Sequence, residues 1–192
     1  MKINQNMKKF QKTLELKGKT AVFIDWANVH GWAELGHSKV NLKKLFKYLR
    51  GYKKIKAINL YFGKDTHPKS KKFLGEAKKI GFKVITKPVK YIKVAVFQNK
   101  PIFRRKCDFD MEICIDIHKH LSQNYDSFIF FSGDRDFKPL YRLLIERHKQ
   151  VIVIYGQGHL GREIYSIKQG LYKLDINKLE SVKNDPPVSR RA

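Results

Sequence analysis

The chain has 192 residues, 42% of them hydrophobic and 12% aromatic, enough apolar material for one buried core and too much for a disordered polymer. Its 41 Lys+Arg against 17 Asp+Glu give a formal charge of +24, an excess that calls for a polyanionic partner, nucleic acid first. No apolar run approaches the ~18 residues of a membrane span, and Cys107 and Cys114 form neither a disulfide framework nor a zinc set, so the expectation is a soluble cytoplasmic protein with free thiols and no membrane partner.

Residues 1–18, rich in Lys and Gln with scattered Phe10, Leu14 and Leu16, suggest a basic arm or weak amphipathic helix ahead of a domain spanning 19–178. Thr20 to Asp25 is an apolar run ending in a carboxylate, the pattern of a buried strand with its acid at the carboxyl end. Asn28 places an amide three positions later. Asn41 suits an N-cap, and Leu42, Leu45, Phe46 and Leu49 follow at helical spacing to Gly51. Ile55 to Phe62 predicts a second strand, Pro68 to Gly81 a lysine-studded helix, and Phe82 to Thr86 a third strand. This alternation argues for a parallel sheet with helices on both faces.

From Ala77 to Cys107 there are ten basic residues and no acid. Within that run, Val89 to Phe97 and Pro101 to Arg105 are β-prone arms about a Gln98-Asn99-Lys100 turn, predicting a basic hairpin that projects from the domain. Lys90, Lys93, Lys100, Arg104, Arg105 and Lys106 are interleaved there with Tyr91, Phe97 and Phe103. Cations with aromatics are the combination that grips single-stranded nucleic acid. Asp110 to Leu121 reads as a helix, Ser127 to Phe131 as a central buried strand, Phe137 to Arg147 as a helix and Val151 to Tyr155 as another strand. Gly156, Gly158 and Gly161 then mark a loop, Leu171 to Ile176 a last strand, and residues 179–192 a disordered tail.

Ser132-Gly133-Asp134-Arg135-Asp136-Phe137 delivers two carboxylates beyond the central strand, at the sheet edge where open α/β folds bind ligands. Asp25 ends the first strand at the same edge, and Asp110 opens the helix leading to the central strand. Three or four carboxylates converging there suggest Mg²⁺ or Mn²⁺, because hard cations take oxygen ligands. Asp134 and Asp136 also suit a turn acid and an N-cap. Asp116 lies roughly 120° around its helix from Asp110, and Asp108 suits a cap. The histidines, including His30, His37, His118, His120 and His148, show no metal-ligand spacing.

Val22-Phe23-Ile24-Asp25 with Asn28, Lys106-Cys107-Asp108-Phe109-Asp110 with Asp116, and Ser132-Gly133-Asp134-Arg135-Asp136-Phe137 resemble, in that order, the motifs of the NYN family, a branch of the PIN-like nucleases. Cys107 and Asp108 stand where many members have lysine and glycine. The resemblance implies a three-layer α/β/α, Rossmann-like PIN-like domain, here with a basic hairpin insertion, and metal-dependent endonucleolytic hydrolysis of RNA phosphodiesters. It implies that Asp25, Asp110, Asp134 and Asp136 surround the Mg²⁺ or Mn²⁺, with Asn28 and Ser132 as polar support. A metal so held would generate hydroxide near neutral pH and stabilise charge on the phosphoryl oxygens. The other reading of the same features is a non-catalytic RNA-binding subunit of a ribonucleoprotein complex. Oligomeric state stays open, a homodimer being compatible with the sequence.

Overall fold

The computed structural model describes residues 13–32 and 39–182. Apolar runs become strands because burial on both faces favours β-branched and aromatic side chains at every position rather than at every second one. β1 (Thr20–Asp25), β2 (Ile55–Lys64) and β3 (Lys83–Pro88) form one half of a sheet. β6 (Ser127–Phe131), β7 (Gln150–Tyr155) and β8 (Leu171–Asp175) form the other. The order is β3-β2-β1-β6-β7-β8, and all neighbours are parallel. Chain order reverses between β1 and β6, so the crevice beyond their carboxyl ends is the switch point where such sheets bind ligands.

One face carries Val22, Ile24, Leu60, Ile129, Phe131 and Ile154, covered by α1 (Trp26–Gly31), α2 (Leu42–Arg50) and α3 (Pro68–Ile80). The opposite face carries Ala21, Phe23, Phe128, Phe130, Val151 and Val153, covered by α4 (Asp110–Ser122), α5 (Lys138–Glu146) and the short α6 (Arg162–Tyr165). Each fully buried side chain of this size contributes ~1.5–3 kcal/mol, so the double-faced strands supply most of the fold's stability. The result is the expected three-layer α/β/α arrangement with a parallel sheet.

Local signals fix the helix ends. The Asn41 side chain accepts from Lys44 N at 3.0 Å to cap α2, Pro68 sits in the first turn of α3, and Gly81 ends that helix at φ 113°, a conformation glycine adopts without strain. Several boundaries shift modestly. β2 runs on to Lys64, β3 begins at Lys83 and reaches Pro88, β7 begins at Gln150, α4 extends to Ser122, and a 3-10 turn over Arg135–Phe137 precedes α5.

β4 (Lys90–Phe97) and β5 (Lys100–Lys106) form the separate antiparallel ribbon. Its turn is tighter than the three residues expected. Gln98 and Asn99, at φ 48° and 58°, make a two-residue connection, and Lys100 already pairs with Phe97. Two left-handed residues match the twist of the flanking strands, which is why such hairpins prefer this turn.

The N-terminal arm expected over residues 1–18 is described only from Thr13. That part is irregular chain with Leu14 and Leu16 buried in the core, anchored by Leu14 N to the Tyr52 hydroxyl and Lys17 N to Gln150 Oε1. At the other end Leu179 and Val182 are buried beyond the expected boundary at 178, with Val182 O accepting from Asn41 N. His37 and residues 183–192 lie outside the described residues.

Candidate functional site

Asp25 is the last residue of β1 and the N-cap of α1, its Oδ1 accepting from Ala27 N at 3.0 Å and Asn28 N at 3.4 Å. The Asn28 amide then does two things. Its Nδ2 donates to Asp25 Oδ2 at 3.4 Å, and its Oδ1 accepts from Gly133 N at 3.3 Å. One side chain thereby ties the end of β1 to the turn after β6, across the switch point.

That turn is built from short-range bonds. Ser132 is buried and its Oγ accepts from Asp134 N at 3.2 Å, while Asp134 Oδ1 accepts from Asp136 N at 3.0 Å and caps the 3-10 turn. Gly133 has no room for a side chain, since a Cβ there would lie 1.6 Å from the carbonyl oxygen of His159. Gly161 N donates to Gly133 O at 2.9 Å, so the glycine-marked loop after β7 closes over the acidic turn. With Asn28, Asp134 and Arg135, it lines a shallow cleft of about 370 Å³. The glycines at 156, 158 and 161 were the sequence signal for that wall, where only a turn was expected.

Asp110 opens α4 on the opposite sheet face and approaches the same edge. Burial, followed by the charges of Asp134, Asp108, Asp25 and Asp136, pushes its carboxyl up to about 6. Asp25 is also raised, first by burial, with the Asp134 charge adding to it and the bonds from Asn28 and Ala27 opposing it. Carboxylates from β1, α4 and the post-β6 turn therefore share one electrostatic environment. Asp136 is the outlying member, with its side chain 70% exposed beside Arg135. Asp116 is turned away. Its Oδ2 accepts from the Tyr61 hydroxyl at 2.9 Å and its Oδ1 meets Lys119 at 3.2 Å, in the buried layer between α4 and the sheet.

The donors fit a divalent cation in kind, being all oxygen. Among the described residues, no group of three or more His, Cys, Asp or Glu side chains stands close enough to hold a metal together. Mg²⁺ does not require one, because it is held by one or two carboxylates while water completes its shell. A bound cation would relieve the repulsion among Asp25, Asp110 and Asp134.

All six hairpin cations, Lys90, Lys93, Lys100, Arg104, Arg105 and Lys106, are exposed. The aromatics are exposed with them, Tyr91 at 54%, Phe97 at 64% and Phe103 at 53%. The hairpin is fastened at its root by a residue that sequence reading passed over. Asp65, just after β2, accepts from the Tyr91 hydroxyl at 2.5 Å and pairs with Arg105 at 3.1 Å. Those bonds hold its carboxyl below the usual range, the Tyr91 bond first. A cleft of about 1070 Å³ opens between α1, the β2–α3 turn and this root. No sequence signal pointed to it, because its walls come from three separate segments.

Among the described residues, no helix is long and apolar enough to cross a membrane. A relative, "Low amplitude and bright protein LabA" of Synechococcus elongatus, is 24% identical over 163 residues, covering 84% of this chain and 85% of that one. A crystal structure of a protein of unknown function from Vibrio parahaemolyticus superposes with a TM-score of 0.62 at 20% identity, over 85% of this chain and 97% of that one. That likeness is one of fold. The NYN domain matches residues 19–172, and the chain belongs to the NYN domain family of the PIN-like nuclease superfamily.

Proposed function

We propose that the protein is a metal-dependent endoribonuclease, with Asp25, Asp110 and Asp134 holding Mg²⁺ or Mn²⁺, Asp136 at the periphery, and the basic hairpin binding the RNA strand. The observation that carries the reading is the Asn28 bridge, which ties Asp25 at the end of β1 to Gly133 beside Asp134 across the switch point; the carboxyl of Asp110, raised to about 6 by burial first and then by the charges of Asp134, Asp108, Asp25 and Asp136, accords with it. In a chain with 17 acids among 41 cations, acids gathered at a switch point answer to a cation. A bound metal of this class supplies activation of water and stabilisation of phosphoryl charge. The chain's own residues supply position. Asn28 fixes the β1 carboxylate relative to the post-β6 turn, Ser132 fixes the backbone at Asp134, and the hairpin neutralises phosphates along the strand. Free Cys107 and Cys114 accord with a reducing, cytoplasmic setting.

The test is incubation of the purified chain with labelled RNA, DNA and free nucleotides in Mn²⁺ or EDTA. RNA cleavage is expected with Mn²⁺ alone, reduced at least ~100-fold in Asp134→Asn and Asp110→Asn with RNA binding retained, the scale at which removing one transition-state stabiliser acts. Cleavage undiminished in both variants would remove the assignment and point to a contaminant. The second reading is a non-catalytic RNA-binding subunit, which the exposed cations and aromatics of the hairpin would serve equally well. It predicts tight RNA binding with no cleavage under any divalent ion.

A further inference from the structure

We propose that the larger cleft is a subsite for one unpaired nucleobase of a single-stranded nucleic acid, adjoining the carboxylates. The proposal rests on the nuclease reading for the identity of the strand. Its floor is aromatic, with Trp26 against Phe73 at 4.9 Å and Phe73 against Phe62 at 4.5 Å between ring centroids. Phe62 and Phe73 line the recess and remain partly exposed. Core aromatics at a strand end are ordinarily covered. Here they present ring surface to a space of about 1070 Å³, at the upper end of what small-molecule sites provide.

The rim selects for an anion that carries a ring. Asp65 is the one acid among the lining residues and is offset by its ion pair with Arg105, so Lys69 leaves the rim with a positive charge. His67 Nδ1 accepts from Lys69 N at 3.1 Å, which leaves Nε2 as the ring nitrogen that can donate to a base carbonyl or phosphate. The Asp65 bonds to Tyr91 and Arg105 set the hairpin as a fixed wall rather than a loose flap.

Position completes the argument. Trp26 and Ala27 line the cleft immediately after Asp25, and Ala27 N donates to the Asp25 carboxylate. A base resting on Phe62 and Phe73, which back onto the buried Trp26, therefore has its own backbone phosphates at the carboxylate edge. A paired base is stacked within its duplex and does not enter such a recess, so the subsite reads strandedness.

The experiment holds phosphate charge constant. Affinity is measured in EDTA, with no turnover, for a short abasic ribose-phosphate chain and for the same chain carrying one adenine or uracil. One base is expected to tighten binding about tenfold to the wild-type chain, the usual scale of a base stacked on an aromatic side chain, and to add less than twofold in Phe73→Leu. With 4-thiouracil as the base, crosslinks are expected on the segments containing Trp26 or residues 62–73, a readout that needs no variant. A base that adds nothing to the wild type, or adds tenfold equally in Phe73→Leu with crosslinks elsewhere, overturns the subsite while leaving nuclease activity intact. Failure of the wild type to bind either chain at low salt overturns the subsite together with the nucleic-acid reading.

Discussion

Two aspartates on α4 meet different environments, and the difference decides what each can do. Asp116 has its partners, the Tyr61 hydroxyl and Lys119, and belongs to the packing between helix and sheet. Asp110 is partly buried among neighbours of its own sign, and burial first, then their charges, raise its carboxyl from 3.8 to about 6. The folded chain therefore binds a proton there more tightly than the unfolded chain does. Between those values the unfolded state has released a proton that the folded state keeps, so stability falls as pH rises through the window and stays lower above it. Solvent at this partly exposed carboxylate moderates the effect. In metal-free protein, Asp110→Asn is expected to melt at a higher temperature than wild type near pH ~7.5, with the gain shrinking towards pH ~4, where the folded carboxyl is already protonated. Mn²⁺ should raise the wild-type midpoint and leave that of the variant nearly unmoved. Thermal melts at the two pH values check it, and a variant no more stable than wild type near neutrality would show that neither burial nor neighbouring charge strains the Asp110 carboxylate.

At the level of elements, strands and helices were legible wherever a short signal carried the physics. The apolar run to Asp25, the Asn41 cap, Pro68 with Gly81 and the acidic turn after Phe131 each act over a few residues, and the six-stranded sheet follows from their alternation. Long-range placement was not legible. Gly133 is small because a carbonyl 26 positions further on, at His159, occupies the space of its side chain, and Asp65 matters because Tyr91 and Arg105 arrive beside it from the hairpin. That same ion pair divides the hairpin's cations into two kinds. Arg105 is engaged with Asp65 and Lys106 stands 3.6 Å from Asp108, whereas Lys93, Lys100 and Arg104 project from the ribbon. Changing these three to Ala should flatten the dependence of log affinity on log salt for single-stranded RNA by about 2, at ~0.7 per phosphate contact. Salt titration of binding measures the slope, and an unchanged one would take the hairpin out of the RNA path.

For the whole molecule, a charge of +24 on 192 residues acts in two opposing directions that one variable separates. Within the folded chain, lysines crowd on α2, α3 and the hairpin with few acids between them, and like-charge repulsion disfavours the compact state. Salt screens that repulsion, the Debye length shortening from ~30 Å at 0.01 M to ~8 Å at 0.15 M. Toward RNA the same cations work by releasing counterions, and salt removes that driving force. Raising salt over this range is therefore expected to increase the melting temperature of the free protein while weakening its affinity for single-stranded RNA, a pair of opposite slopes measured in one buffer series. If ion pairs such as Lys87 with Glu112 or Arg105 with Asp65 dominated the protein's electrostatics, salt would lower both. A melting temperature that falls with salt would mean that attraction rather than repulsion governs the free protein, and that its cations are balanced within the fold rather than held ready for a polyanion.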